Sequence, residues 1–167
     1  MAVATIHHLG WTRSYRGVLP EAYLDTISYD ACLARWTSAL TEGSAVDVFV
    51  ADAGGRVLGF VAVGPSADPD ATAAGEIWDL WVDESARSQG VGGRLLASAL
   101  DALALRHRAA LVWVLAANDR GRAFYAREGA VRDGFSRTTE IAGGQMTDVR
   151  YLWDLRARLT GQASKTG

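Results

Sequence analysis

The residues best equipped for chemistry lie between positions 76 and 94. Glu76 stands in a short, mostly apolar stretch, Gly75 to Asp83, where burying an unpaired carboxylate would be costly. A glycine-rich turn follows at once, with Arg87, Ser88, Gln89, Gly90, Val91, Gly92, Gly93 and Arg94 in sequence. A turn of this kind opening a helix leaves backbone N–H groups unpaired and carries partial positive charge, and glycines let a ligand approach those groups closely. Arg87 and Arg94 add fixed positive charge on either side. The segment predicts a pyrophosphate cradle beside a carboxylate able to accept a proton.

Three phosphate-binding patterns compete for the turn. A dinucleotide fingerprint needs a third glycine at the sixth position from Gly90, where Leu95 stands, and no ribose-binding carboxylate is well placed downstream. A P-loop needs Gly-Lys-Ser/Thr, and the chain's one lysine is Lys165. What remains is R-x-x-G-x-G, filled by Arg87, Gly90 and Gly92. Before it stand Glu76, Ile77, Leu80, Trp81 and Val82; after it comes a helix with apolar Val91, Leu95, Leu96, Leu100 and Leu103. Strand, turn and helix together resemble the acyl-CoA-binding motif of the GNAT superfamily of N-acetyltransferases. A second segment resembles that family's next motif. Ala110 to Ala116 is an apolar run suited to a buried strand. Asn118 is a good helix N-cap, Phe124-Tyr125 lie on the helix, and Gly129 is suited to its C′ position. The chain departs from the family in having Ala130 after Gly129 where an aromatic is usual. It also has Glu84 where proline is frequent, which predicts a less rigid loop.

The resemblance implies roles for individual residues. Backbone N–H groups around Leu80, Trp81 and Val82 are expected at the acetyl carbonyl and pantetheine arm of acetyl-CoA, the co-substrate. The amides of Ser88, Gln89, Gly90, Val91, Gly92 and Gly93, with Arg87, are expected at the pyrophosphate, and Asn118 at the cofactor arm. Tyr125 is the expected acid, protonating the departing thiolate; ordinary pKa values of about 10 for a phenol and 8.5 for a thiol do not clash badly. Glu76 is the leading base and Asp79 the runner-up. Strand alternation places Glu76, Trp78 and Leu80 on one face and Ile77, Asp79 and Trp81 on the other, up to any bulge near Leu80. For the acceptor, Trp11, Tyr15 and Trp78 are expected to form an aromatic wall attractive to a small cationic amine. The activity implied is acetyl transfer to a primary amine of a small molecule. The alternatives are transfer to a protein N-terminus or lysine, and an acyl-CoA-binding domain without catalysis.

The elements that must position these residues follow from pattern. Helices are predicted over 3–16 and 30–42, with a short one after Pro20. Strands are predicted over 46–51 and 56–64, joined by a hairpin turn at Asp52-Ala53-Gly54-Gly55. A small-residue loop over 65–74 is expected to be mobile. The motif strand spans 75–83 and its helix 90–107. A final hairpin, 131–142 with 146–154, turns around Gly143-Gly144. This order reads as one α/β domain over 1–155: a mixed, mostly antiparallel sheet with helices on both faces, and a disordered tail from 156 to 167. The family normally has a strand before its first helix, and none is visible here. An open sheet edge tends to recruit cover, so a homodimer or another edge cap is expected.

Composition bounds the rest. The chain has 167 residues, 49% hydrophobic, with a formal net charge of −2. With no basic run, extended nucleic-acid binding is not expected. No apolar run approaches the roughly 20 residues of a membrane span, and no secretion signal is visible, so a cytoplasmic protein is expected. Cys32 stands alone, and His7, His8 and His107 lack metal-ligand spacing, so no metal is expected.

Overall fold

The computed structural model describes residues 2–71, 74–142, 144–156 and 158. In chain order the elements are α1 (Ala2–Ser14), α2 (Glu21–Leu24), α3 (Tyr29–Ala39), β1 (Asp47–Ala53), β2 (Arg56–Pro65) and β3 (Gly75–Val82). They continue with α4 (Val91–Ala104), β4 (Ala109–Leu115), α5 (Asp119–Arg127), β5 (Val131–Ile141) and β6 (Gly144–Asp154). Among these residues six strands form one open sheet in the order β1-β2-β3-β4-β6-β5. Only β3 and β4 run parallel. The outer edge of β1 has no strand beside it among the described residues.

Strand alternation divides the sheet's side chains between two layers. Val61, Val63, Ile77, Val112 and Val114 meet the apolar stripe of α4, Val91, Leu95, Leu96, Ala99, Leu100 and Leu103. Phe60 and Ala62 face the other way and meet Ala4 and Ile6 of α1 with Cys32 and Trp36 of α3. Helices therefore cover both faces. Cys32 is a buried packing residue of α3.

Local chemistry sets the boundaries. Gly54 and Gly55, both left-handed, make the two-residue turn between β1 and β2. Ser28 caps α3 by accepting from the Ala31 amide at 3.1 Å. Gly129 ends α5 at φ +86°, and the Ala130 amide donates back to the Tyr125 carbonyl at 3.0 Å.

Two expectations need correction. Glu84 does not loosen the loop after β3. Residues 84–86 form a 3₁₀ turn capped by Asp83, and Arg56 braces it through Ser85 at 2.8 Å. The 65–74 loop is likewise anchored where it is described. Asp68 is buried against Arg150 of β6 at 2.7 Å, and the Ser66 amide donates to the Ala74 carbonyl at 3.1 Å. Most of the expected disordered tail, and Gly143 of the last turn, lie outside the described residues. Arg158 is described, and its guanidinium donates to Asp101 of α4 at 2.6 Å.

Candidate active site

The parallel ladder between β3 and β4 is short. It pairs Gly75 with Ala110, Glu76 with Leu111 and Ile77 with Val112, then stops, while β3 runs on to Val82. The strands part beyond that point and leave a cleft of about 990 Å³. Backbone groups of β3 that would have met β4 open into it. The Asp83 amide donates to the Leu58 carbonyl at 2.8 Å, so the antiparallel ladder to β2 takes the amides of Trp81 and Asp79. The N–H groups of Leu80 and Val82 therefore point toward the cleft, and that of Trp81 away from it. Trp81 contributes its side chain to the site instead.

The floor of the cleft at this end is the start of α4. Ser88 and Gly90 lie in the left-handed region, at φ +62° and +75°, and turn the chain sharply so that the helix begins against the cleft. Gly90 caps α4 without a side-chain bond, which leaves first-turn amides free. A Cβ on Gly92 would lie 3.4 Å from the Phe124 ring, so any larger side chain would fill the space over those amides. Arg87 lines the cleft with its Nε donating to the Val82 carbonyl at 3.3 Å. Free helix-start amides, a glycine floor and arginine at the rim fit a pyrophosphate. The facing amides of β3 fit the amide-bearing arm of a coenzyme A thioester.

Asn118 caps α5 by accepting from the Gly121 amide at 2.8 Å, and its amide nitrogen donates to the Tyr15 hydroxyl at 2.9 Å. Tyr125, on the same helix, lines the cleft at 8% exposure, between Phe124 and Trp153. Burial drives its phenol well above the ordinary value, and nearby Tyr15 and Asp79 add to the effect, so Tyr125 keeps its proton.

The alternation expected along β3 is broken by a bulge earlier than anticipated. Val63 pairs with Ile77 and Ala62 with Asp79, so Trp78 is the extra residue. The parity of the strand reverses there. Ile77 faces the α4 layer and Asp79 the α1–α3 layer, which puts Glu76 and Asp79 on the same side of the sheet. Glu76 is half-buried on the cleft wall. Its Oε2 accepts from the Ser66 hydroxyl at 3.1 Å and the Ala67 amide at 3.2 Å. Burial raises its pKa above the usual glutamate value, although those bonds and Arg137 favour the ionised form. Asp79 is 8% exposed and committed elsewhere. It accepts from Arg35 at 2.5 Å and from the Trp81 indole at 3.1 Å, with His7 Nε2 at 3.4 Å. Both carboxylates line the cleft, but only Glu76 is offered to it without a charged partner in contact.

The aromatic wall differs in membership. Trp11 and Tyr15 are together, with ring centroids 4.9 Å apart, and Trp81 and Tyr23 complete the group at 5.8 and 6.2 Å from Trp11. Trp78 lines the same cleft, 37% exposed, with its indole over Gly64. Trp113, Arg137, Met146 and Asp148 close the far side, brought by β4, β5 and β6. Tyr23, Arg137 and Asp148 escaped the sequence reading. The Arg137–Asp148 pair is a cross-strand match between β5 and β6, visible only once the hairpin register is known. Among the described residues no cluster of His, Cys, Asp or Glu suits a metal, and no helix is long and apolar enough to cross a membrane.

Comparison with known proteins gives a consistent result. Residues 3–130 match the model of the acetyltransferase (GNAT) family. The chain is 32% identical over 164 residues to the uncharacterized N-acetyltransferase YuaI of Bacillus subtilis, covering 95% of this chain and 90% of that one. It is 30% identical to a probable N-acetyltransferase of Mycobacterium tuberculosis, over 89% and 84% of the two chains. Among solved structures, a GNAT-family putative acetyltransferase of Desulfovibrio desulfuricans superposes with a TM-score of 0.69 at 16% identity, over 91% of each chain. The PaiA N-acetyltransferase of Thermoplasma acidophilum, solved with coenzyme A, gives 0.65 at 16% identity, over 90% and 89%.

Proposed function

This chain belongs to the GNAT acetyltransferase family and is an acyltransferase with acetyl-CoA as its co-substrate, and from that premise we propose that it acetylates the primary amine of a small molecule by direct attack. The observation that carries the reading is Glu76: a half-buried carboxylate, held through one oxygen, on the wall of an aromatic-lined cleft at the point where β3 and β4 part.

Acetyl-CoA supplies the activated acyl group. The chain's residues do the rest. The amide of Leu80 meets charge developing on the thioester oxygen, and that of Val82, two residues further along the same edge, bonds the pantetheine arm. Glu76 takes the proton that the attacking amine must lose. The C–N bond forms as the C–S bond breaks, and Tyr125 donates its hydroxyl proton toward the departing sulfur. Its raised pKa resists full transfer to an ordinary thiolate, but the same dry surroundings raise the basicity of that thiolate as well. The amides at the start of α4, with Arg87, hold the pyrophosphate, and Asn118 orders both α5 and Tyr15 beside the cofactor arm. Trp11, Tyr15 and Trp81, with Trp78 at the Glu76 end, form the acceptor wall. Glu76 and Asp148 give that end carboxylates for a cationic amine.

The test is thiol release from acetyl-CoA against polyamines, amino acids, aminoglycosides and short peptides, beside calorimetry of acetyl-CoA binding. Turnover on a small amine is expected. Glu76→Gln is expected to lower kcat at neutral pH by about 10²-fold or more while leaving acetyl-CoA affinity unchanged. Turnover on peptides alone would reassign the activity to protein acetylation. Tight binding with no turnover on any acceptor would favour a binding domain. The open edge of β1 further suggests a homodimer; sedimentation showing a monomer at tens of micromolar would remove that suggestion.

A further inference from the structure

We propose that Arg150 is a positioning residue for Glu76: it clamps Asp68, and through Asp68 the loop between β2 and β3, so that the loop's two donors stay aimed at the Glu76 carboxylate. The inference rests on the proposed role of Glu76 as base.

Arg150 lies on β6 at 4% exposure, among the most deeply buried charges described. Its Nη1 donates to Asp68 Oδ2 at 2.7 Å and its Nε to Asp133 Oδ2 at 2.8 Å, with Nη2 in ion-pair contact with the same oxygen at 2.8 Å. The guanidinium lies over the Phe135 ring at 3.9 Å and near that of Trp113 at 5.6 Å. A planar cation held by two carboxylates and stacked on an aromatic ring has little freedom to move.

From Asp68 the chain of bonds leads directly to Glu76. Asp68 Oδ1 accepts from the Asp70 amide at 3.0 Å, which fixes the carboxyl within its own loop. The Asp68 amide donates to Ser66 Oγ, also at 3.0 Å. That bond occupies a lone pair of the hydroxyl and leaves its proton for Glu76 Oε2, at 3.1 Å. The next amide, Ala67, donates to the same oxygen at 3.2 Å. Oε1 has no hydrogen bond among the described residues and is the oxygen left for a substrate proton. Breaking the Arg150–Asp68 bond releases the segment that carries both donors.

The charges around Glu76 make the prediction unusually specific in sign. Arg137 of β5 favours its ionised form and Asp68 of the loop opposes it; Asp148 of β6 and Asp79 of β3 line the same cleft. Removing the Asp68 charge by itself would therefore lower the pKa of Glu76. Releasing the two donors would raise it.

The experiment is a carbon-13 NMR titration of the Glu76 side-chain carboxyl, which needs no acceptor, run beside the pH profile of turnover. Ser66→Ala is expected to move the titration upward by about one pH unit, through loss of a hydrogen bond to a charged group. Asp68→Asn is expected to move it upward as well, against the direction its lost charge would give. Asp133→Asn removes an equal charge and the other partner of Arg150 without touching the loop, and no shift is expected. These conservative variants carry the test even if Arg150→Gln fails to fold. An unchanged or lowered titration in Asp68→Asn, or an equal rise in Asp133→Asn, overturns the clamp. If instead Glu76→Gln leaves the acid limb of the rate profile in place, the base reading fails, and the carboxyl titrations still decide the clamp.

Discussion

The two walls of the cleft are made in different ways. The wall assigned to acetyl-CoA is mostly backbone: amides of Leu80 and Val82, the first turn of α4, and glycines that keep side chains out of the way. It is contiguous in sequence, from Glu76 to Arg94. The wall proposed for the acceptor is made of side chains gathered from α1, α2, β3, β4, β5 and β6, from Trp11 to Asp148. A backbone wall depends on local conformation and tolerates change outside its turn. A side-chain wall depends on long-range polar contacts that hold distant elements in register. The variants below test that contrast.

The largest effect is expected where the acceptor wall is held together. The Trp36 indole donates to His7 Nδ1 at 2.9 Å, so the imidazole proton sits on Nε2, facing Asp79. Protonating His7 would set N–H against N–H at Trp36. Burial, and then the charges of Arg35 and His8, lower its pKa from 6.5 to about 4. A folded pKa below the unfolded one means that the unfolded chain binds the extra proton first. The stabilisation is whole above pH 6.5 and is lost as the pH falls toward 4, a change on the order of 3 kcal/mol. Asp79 works in the opposite sense, because burial raises its pKa. The clean measurement is thus a difference. Urea unfolding at pH 7 and pH 4.5 should show His7→Asn, which keeps an acceptor for Trp36, losing less stability than the parent. Equal losses would place the acid sensitivity elsewhere.

Tyr125 stands where the walls meet. Tyr125→Phe should lower kcat by about 10- to 100-fold and leave the acceptor KM and acetyl-CoA affinity nearly unchanged, because it removes only the hydroxyl proposed as proton donor. A matching rise in KM would make Tyr125 a packing residue. On the backbone wall, Gly92→Val should weaken acetyl-CoA binding about tenfold, roughly 1.4 kcal/mol, by placing methyl groups against Phe124 and over the helix amides. Acceptor KM should not change. Equal damage to both substrates would show that the walls are not separable.

This division also explains what could be read from the chain. The glycine turn before α4, the Asn118 cap and the Gly129 stop are each written within a few consecutive residues, and the structure has them where the spacing puts them. The bulge at Trp78 was not legible, because it is fixed by how Ala62 and Val63 of β2 pair across to β3. It alone decides that Glu76 and Asp79 share a side. Trp81 rather than Trp78 joins Trp11 and Tyr15 for the same reason. The anchored loop was misread because its small residues gave no sign of Arg150, 82 positions away from Asp68. One signal was available: Arg150 interrupts the apolar run from Val149 to Trp153, as Glu76 interrupts its own strand, and a charge in such a setting needs a partner.

The smallest predicted effect comes from an exception to the contrast. Glu128, at the end of α5, brings its carboxylate within 3.6 Å of where a Cβ on Gly93 would stand, beside the start of α4. It lines the cleft, and Arg127 approaches it only at 3.9 Å. A carboxylate is favoured at a helix start by the same field that favours a pyrophosphate, so Glu128 competes with an anion at the proposed cofactor site. Removing the charge costs α4 a few tenths of a kcal/mol and relieves repulsion of similar size when the anion binds. Glu128→Gln should therefore tighten acetyl-CoA binding about two- to fivefold at low salt, with the gain shrinking toward 0.5 M salt as screening removes it. Acetyl-pantetheine, which lacks the pyrophosphate, should show no gain. If the variant binds acetyl-CoA more weakly, Glu128 orders the cradle rather than competing for it, and the backbone wall depends on a side chain after all.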